Sequence, residues 1–579
     1  GSIGACRQCA VVQYQNADDQ RGRIVMGCMT PVTDGAIFSL AGDKAQGFRQ
    51  SIVESLMLNH PHDCPVCAEG GECHLQDMTV MVGHRDRRYR GRKNTHRNQY
   101  LGPLINHEMN RCITCYRCTR YYRDYAGGTD LAALASHDHV YFGRHQEGVL
   151  QSEFAGNLVE VCPTGVFTDK SLVHEYTRKW DLQSAPSICT GCAVGCNTLP
   201  GERYGKLKRV HNRFNAEVNG YFLCDRGRFG AGFVNSDKRL SYPGLRQVDG
   251  RYDALDHHQA LQEMQRLCAS GKVAGIGSPR ASVEANFLLQ LMVGDDSFAP
   301  GFSGTEQTLV TTALDLQQNS RAVVPDIATI ESADAILILG EDITNTAPRI
   351  ALALRQSVRN KAYELAADLG LETWQDAAIR NLAQEQRSPL YIASVAATRL
   401  DDVAVEHISL APDDIARLGG AVAAAISGRA PSGHAPSGQA PAGLEHSLQA
   451  QVEAIAAVLS EAQRPLVVSG TGCGSAAVLS AAAQVADALC AAGRQAMLSL
   501  AVPEANSLGQ AMLAGNGAPH LAQLQQRAEA GELETLLVLE NDLYRRGPAA
   551  QIDQLLATFK QVIVLENLDN QTTSSAALV

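Results

Sequence analysis

Nowhere in the 579 residues does an apolar run approach the roughly 18 or more residues that a membrane span needs; candidates such as Ala335 to Leu339 and Leu536 to Leu539 are strand-sized. The chain therefore reads as soluble, or as docked on something soluble. It also lacks a charged stretch followed by an apolar one at its start, so nothing points to secretion. Positive charge is short: 50 Lys and Arg against 61 Asp and Glu leave a formal net charge of -11, which argues against a general polyanion binder. Missing too are the scattered cysteine spacings of a disulfide scaffold, which a chain this long does not need. The remaining composition, 45% hydrophobic and 19% charged, is that of several globular domains and excludes collagen, wholesale disorder and a coiled-coil rod.

Cysteine itself is scarce only after residue 224. Of 17 cysteines, fourteen lie between Cys6 and Cys224, and only Cys268, Cys473 and Cys490 follow. Those three match no motif and read as buried core thiols. Most of the fourteen sit in Cys-x-x-Cys groups, which points to metal ligation in a reducing compartment.

The first group is Cys6 and Cys9, with Cys28 after an apolar segment. Two cysteines three apart in a loop with Gly1 and Gly4 aim sulfurs and backbone N–H groups at one point, which suits a [2Fe-2S] centre. The plant-type pattern requires one more cysteine upstream, which at that spacing would fall on Gly1, so either that ligand is missing or a longer spacing places it before Gly1, and the chain is expected to start inside a domain. Structural zinc remains an alternative on this spacing alone.

The second group is His60, Cys64, Cys67 and Cys73, set among Pro61, Pro65, Gly70 and Gly71 after an amphipathic helix expected over roughly Gly47 to Leu58. Neutral imidazole in place of one thiolate removes a negative charge and should raise the potential of a cluster. Three Cys and one His is also a zinc set, and His62 and His74 are rival ligands within reach. The third group, Cys112, Cys115 and Cys118 closed by Cys162-Pro163, is the bacterial ferredoxin arrangement for [4Fe-4S], and without a second such triplet one cluster is expected. The fourth is Cys189, Cys192, Cys196 and Cys224, whose flanking Gly191, Gly195, Gly227 and Gly230 let backbone amides approach the sulfides of another [4Fe-4S] cluster. With no nucleophile, base or substrate pocket evident among these groups, the first half reads as an electron wire. A basic stretch, His84 to Lys93 with His96-Arg97 beyond, reads as a docking face or counter-charge to the clusters rather than a nucleic-acid site.

After about Asp237 short apolar runs alternate with helical stretches: Val273 to Ile276, Ala335 to Leu339, Leu390 to Ala393, Leu466 to Val468, Leu536 to Leu539 and Val562 to Leu565. This is the signature of α/β domains with largely parallel sheets, whose ligand sites lie at the carboxyl ends of the strands. Gly470-Thr471-Gly472-Cys473-Gly474-Ser475 follows one strand and opens an Ala-rich helix; it can cradle a phosphate or simply make a tight turn. A repeat from Ala430 to Gly443 reads as a flexible insertion, and the carboxyl end reads as a mid-domain stop.

The order of these groups, together with Gly4-Ala5-Cys6-Arg7-Gln8-Cys9, Asn59 to Cys67 and Phe154-Ala155-Gly156-Asn157 through Cys162-Pro163, closely resembles the G subunit of bacterial NADH-quinone oxidoreductase, the large iron-sulfur subunit family of respiratory complex I. The likeness runs along the whole chain, with specific motifs up to Cys224 and loose ones after it. It implies a multidomain α+β and α/β architecture. A remnant of a [2Fe-2S] ferredoxin-like domain is expected over 1–45, a His/Cys3 [4Fe-4S] domain over 46–100 and a [4Fe-4S] ferredoxin-like domain over 101–178. A [4Fe-4S] domain of molybdopterin-oxidoreductase type follows over 182–238, then a molybdopterin-oxidoreductase-like α/β domain with parallel sheets over 239–579, with its flexible insertion at 428–444.

The cofactors so implied are three [4Fe-4S] clusters and one [2Fe-2S] cluster whose fourth ligand lies outside the chain. Electrons would enter from a flavin- and NADH-binding neighbour, pass the [2Fe-2S] centre, then the Cys112/Cys115/Cys118/Cys162 cluster, then the His60 cluster, and leave through other peripheral-arm subunits towards quinone. The Cys189/Cys192/Cys196/Cys224 cluster would be a structural side branch. The resemblance also implies a peripheral place on the cytoplasmic side of the bacterial inner membrane, with no nucleic-acid partner and no catalytic residue in this chain. Two departures stand out: Arg226 replaces the Lys that related molybdoenzymes keep two residues after the last cluster cysteine, and Asp295 to Leu314 holds no Cys to bind a metal, so molybdenum is not expected. An NAD-linked formate dehydrogenase catalytic subunit is the alternative, with iron-only hydrogenase and a zinc-ribbon scaffold behind it.

Overall fold

Alternating apolar residues in the first strand place Ala10 and Val12 inside a small antiparallel sheet, where β1 (Ala10–Tyr14) lies between β2 (Arg23–Met26) and β3 (Ile37–Ser39). The computed structural model describes residues 3–175, 177–428, 446–515 and 517–579; Gly1 and the repeat from Ala430 to Gly443 lie outside them. Against β1 packs the helix Asp43–Leu56, which begins a turn earlier than the Gly47 start read from the sequence. Extended Gly42 and the acidic first turn at Asp43 start it, and Gly47 sits on its exposed side, where a missing side chain leaves no hole.

Residues 57–178 contain little regular structure, because their backbone serves loops around the cysteines. Two short antiparallel pairs frame this region: β4 (Ile105–His107) with β7 (Phe167–Asp169), and β5 (Ala132–Leu134) with β6 (Tyr141–Gly143). Their core buries Tyr122, Phe142, Phe154 and Phe167, and Cys118, Cys162 and Cys224 belong to the same apolar cluster. Next comes a four-stranded sheet in which β10 (Asn197–Arg203) pairs with β11 (Lys206–Asn212) on one edge, and with β8 (Gln183–Ser184) and β9 (Ser187–Ile188) on the other. The hairpin between β10 and β11 turns at Tyr204 and Gly205, both with positive φ (57° and 74°), which matches the twist of the flanking strands.

The second half holds two parallel sheets. One has the order β18 (Glu406–Ser409), β17 (Leu390–Ser394), β16 (Ala335–Leu339), β19 (Pro465–Gly470), β20 (Met497–Ala501); the other runs β15 (Phe298–Ala299), β14 (Val273–Ile276), β21 (Thr535–Leu539), β22 (Gln561–Leu565). Every residue of β16, β17, β19 and β21 is buried, because helices cover both faces of each sheet; that is why these strands read as unbroken apolar runs. The hairpin of β12 (Gly244–Arg246) and β13 (Tyr252–Ala254) is tied to the last residues, with Gly244 and Val579 exchanging both backbone hydrogen bonds at 3.0 and 2.9 Å. Among the described residues no helix is long and apolar enough to cross a membrane.

Candidate iron-sulfur sites

Cys112, Cys115 and Cys118 converge because the residues between them break the extended path: Thr114 and Tyr116 take left-handed conformations, φ 54° and 61°, rare for bulky side chains. The Thr114 N–H donates to Cys112 Sγ at 3.2 Å. Cys162 closes the ring from the end of the helix Leu158–Val161, and the four cysteines, with Ile113, Tyr116, Phe142, Pro163, Val166 and Phe167, line one small cavity.

In the fourth group, Cys189 and Cys196 are drawn together by the Cys189 N–H donating to the Cys196 carbonyl at 2.8 Å, and Cys224 enters at the start of the helix Asp225–Phe229. Gly191 donates its N–H to Cys189 Sγ at 3.3 Å, and a Cβ placed on Gly227 would sit 3.3 Å from that sulfur. A larger residue at either position would crowd whatever the sulfur binds.

His60, the second group's histidine, is 7% exposed, and its Nδ1 is buried without a hydrogen-bond partner. His62 and His74 are exposed; His62 stacks on His84 at 6.1 Å. Cys67 and Cys73 are buried and Cys64 half-buried, in a loop held by the Cys67 N–H donating to the Asp63 carbonyl at 3.0 Å. The basic stretch is strapped across this loop: Lys93 Nζ donates to the His60 carbonyl at 2.6 Å, the Asn94 N–H to Asn59 Oδ1 at 3.0 Å, and Arg88 pairs with Glu54. In the first group the Cys28 N–H donates to Cys9 Sγ at 3.4 Å, and Arg7, at φ 51°, turns the chain between Cys6 and Cys9.

The electrostatics of these side chains fit iron-sulfur clusters. Burial pushes the thiols of Cys73 and Cys224 up to about 11 and that of Cys112 to about 12; Cys118 and Cys196 are raised further by burial and then by the cysteines beside them. Thiols so raised stay protonated unless a cationic centre beside them stabilises the thiolate, and the iron of a cluster would supply that charge. Burial likewise holds His60 neutral, its pKa down to about 4, leaving an imidazole able to ligate. Among the described residues no three His, Cys, Asp or Glu side chains gather around a single-ion point.

The α/β domain fills its Gly-rich turn from within. The Gly472 N–H donates at 2.8 Å to Glu341 Oε2, and Thr346 Oγ1 donates to the other oxygen of that carboxylate, which is 1% exposed. The place of a phosphate is taken by the protein's own side chain. Other polar residues at the strand ends also satisfy one another, with Asn541 Nδ2 donating to the Gly277 and Gly301 carbonyls at 2.8 and 2.9 Å. Beside the turn lies a cleft lined by Arg226, Glu306, Asn345, Thr346 and Thr471, and Arg226 Nη2 donates to the Asn345 carbonyl at 2.6 Å. Cys268, Cys473 and Cys490 are half-buried at the edges of apolar clusters, a little more open than the core positions expected of them.

Sequence reasoning missed two features. One is the ion pair of Arg111 with Asp63 between the second and third groups. The other is the aromatic stack of Tyr121 on Phe222, centroids 5.0 Å apart, between the third and fourth. Neither has a local signal, since each joins residues far apart in the chain.

Three family models match this half of the chain. They are the NADH-ubiquinone oxidoreductase-G iron-sulfur binding region over residues 49–88, the ferredoxin-like domain of NADH-quinone oxidoreductase subunit 3 over 102–168, and the molybdopterin oxidoreductase Fe4S4 domain over 182–236. The NADH-quinone oxidoreductase G subunit of Pseudomonas putida is 54% identical over 579 residues and that of Pseudomonas fluorescens 52%; each match covers 100% of this chain. The chain spans 62% of the length of these relatives. Among solved structures, acetylene hydratase from Pelobacter acetylenicus matches 68% of this chain and 62% of its own at 9% identity, with a TM-score of 0.41. Iron-sulfur binding domains and a ferredoxin-like domain are thus present, and along its 579 residues the chain belongs to the G subunit family of NADH-quinone oxidoreductase.

Proposed function

We propose that this chain is an electron relay within NADH-quinone oxidoreductase, taking electrons that NADH gives to a flavin-bearing neighbour and passing them on towards quinone. The observation that carries this reading is the adjacency of the cysteine sites. Cys6 lies close enough to Cys115 to act on it electrostatically, and Cys73 Sγ lies 3.7 Å from the carbonyl oxygen of Pro163, in the turn that follows Cys162. The first site thus adjoins the third and the third adjoins the second, the succession a wire requires.

In this reading Cys6, Cys9 and Cys28 hold a [2Fe-2S] cluster with one ligand from outside the chain. His60, Cys64, Cys67 and Cys73 hold one [4Fe-4S] cluster, Cys112, Cys115, Cys118 and Cys162 a second, and Cys189, Cys192, Cys196 and Cys224 a third. The clusters, when bound, supply one-electron carriage. The chain's own residues anchor them as thiolates, donate N–H groups to the sulfurs from Thr114 and Gly191, and exclude water with Phe142 and Phe167. At the second site the neutral His60 leaves one negative charge fewer among the ligands. The fourth site stands aside from the wire and serves structure.

The oxidoreductase activity belongs to the assembled complex, in which this chain carries electrons. Its peripheral-arm subunits, at the cytoplasmic face of the inner membrane, are the partners. The formate dehydrogenase alternative gains no support: Arg226 is engaged with Asn345, and molybdenum has no cysteine to bind between Asp295 and Leu314. Iron and acid-labile sulfide analysis of the purified full-length protein tests the proposal. Equal amounts fitting three [4Fe-4S] and one [2Fe-2S] cluster are expected, with negligible zinc and molybdenum; stoichiometric zinc without sulfide overturns it.

A further inference from the structure

The second and third sites meet across a buried charge. Arg111, 8% exposed and adjacent to Cys112, reaches back to the other loop and donates from Nη2 and Nε to Asp63 Oδ2 at 2.7 and 3.3 Å; Asp63 immediately precedes Cys64. A Cβ placed on Gly165 would lie 2.6 Å from Cys67 Sγ and 3.2 Å from Arg111 Cδ, so the arginine stem and that sulfur pack against one backbone position. The Thr164 hydroxyl donates to the Arg111 carbonyl at 2.8 Å, tying the pair to the turn that carries Cys162. A guanidinium never loses its charge, and its field acts strongly in a water-poor site.

We propose that Arg111 and Asp63 form a charged bracket that sets the reduction potential of the cluster at His60, Cys64, Cys67 and Cys73 relative to its neighbour at Cys112. The inference rests on the electron-relay reading. The two charges reach the second site at different places: the Arg111 stem packs with Cys67 Sγ against Gly165, and Asp63 immediately precedes Cys64. An added electron is stabilised by positive charge and destabilised by negative charge, so removing the two charges must move the potential in opposite directions.

EPR-monitored redox titration of the full-length protein in the assembled complex tests this. Arg111→Gln should shift the midpoint of the second cluster to more negative values, and Asp63→Asn to more positive ones, each by more than it shifts the third. Arg111→Lys, which keeps the charge but not the forked contact, should restore most of the wild-type value. A role in packing alone would move both midpoints the same way or neither, and either result overturns the proposal. Should Arg111→Gln fail to retain iron, Asp63→Asn decides alone: a positive shift supports the bracket, and none or a negative one sinks it. Absence of both EPR signals from the wild-type complex would overturn the relay reading instead.

Discussion

Asn157 grips the backbone of Leu223 from both sides: its Oδ1 accepts the Leu223 N–H at 3.0 Å, and its Nδ2 donates to the Leu223 carbonyl at 2.6 Å. Asn157 precedes the helix that ends at Cys162, and Leu223 precedes Cys224, so one amide registers the third site against the fourth. Arg228, buried beside it, donates from Nη2 to Asn157 Oδ1 at 3.1 Å and pairs with Glu160. Replacing Asn157 by Ala leaves several buried groups unpaired and should cost about 2–4 kcal/mol. Urea unfolding measures that loss, and iron analysis should show the fourth site depleted first; full iron and unchanged stability would mean that the two sites are registered elsewhere.

His60 separates from its rivals by burial. Replacing it with Cys adds a negative charge and should lower the potential of one cluster in an EPR-monitored titration. Changes at His62 or His74, both exposed, should leave every signal where it was. An unchanged spectrum for His60→Cys, with a shift at either of the others, would transfer the ligand role.

His107 makes acid stability measurable. Its Nδ1 accepts the Gln99 N–H at 3.0 Å, so its proton sits on Nε2 and points at the Phe142 carbonyl, also 3.0 Å away. Burial lowers its pKa from 6.5 to about 4. Between those values the unfolded chain takes up a proton that the folded chain refuses; stability is whole above 6.5, falls as pH drops towards 4, and loses no more from this group below that. At pH 5 the loss is on the order of 2 kcal/mol. Thermal unfolding at pH 7 and pH 5 should show a smaller difference for His107→Gln than for the wild type, and an equal difference would place the acid sensitivity in other groups.

The parallel strands were legible in the sequence because burial on both faces leaves an unbroken apolar run, as in Ala335–Leu339. Cysteine spacing marked the local members of each group, such as Cys112, Cys115 and Cys118, because those loops are short. It could not show how the loops meet, since Arg111 and Asp63 are 48 residues apart and the left-handed turns at Thr114 and Tyr116 have no glycine to announce them. The edge strands Phe298–Ala299 and Glu406–Ser409 escaped for a different reason: they are short and paired on one side only. The Gly-rich turn stayed open between a phosphate cradle and a tight turn, because the residue that fills it comes 131 positions earlier.

That residue, Glu341, gives the sharpest test of the α/β domain. Burial raises its carboxyl pKa, while the hydrogen bonds from Thr346 and Gly472 hold it down, so the side chain is costly to bury and costlier to remove. Glu341→Ala should destabilise the domain by about 2–4 kcal/mol, because the Gly472 N–H and the Thr346 hydroxyl lose their acceptor together. Glu341→Gln, which keeps one carbonyl oxygen, should lose less. Since the carboxylate already occupies the turn, millimolar inorganic phosphate should leave the unfolding temperature of the wild-type chain unchanged. A rise that Glu341→Ala enlarges would show an anion site which the carboxylate only guards, whereas no rise in either chain leaves the turn a structural joint between β19 and the helix Ala476–Ala491.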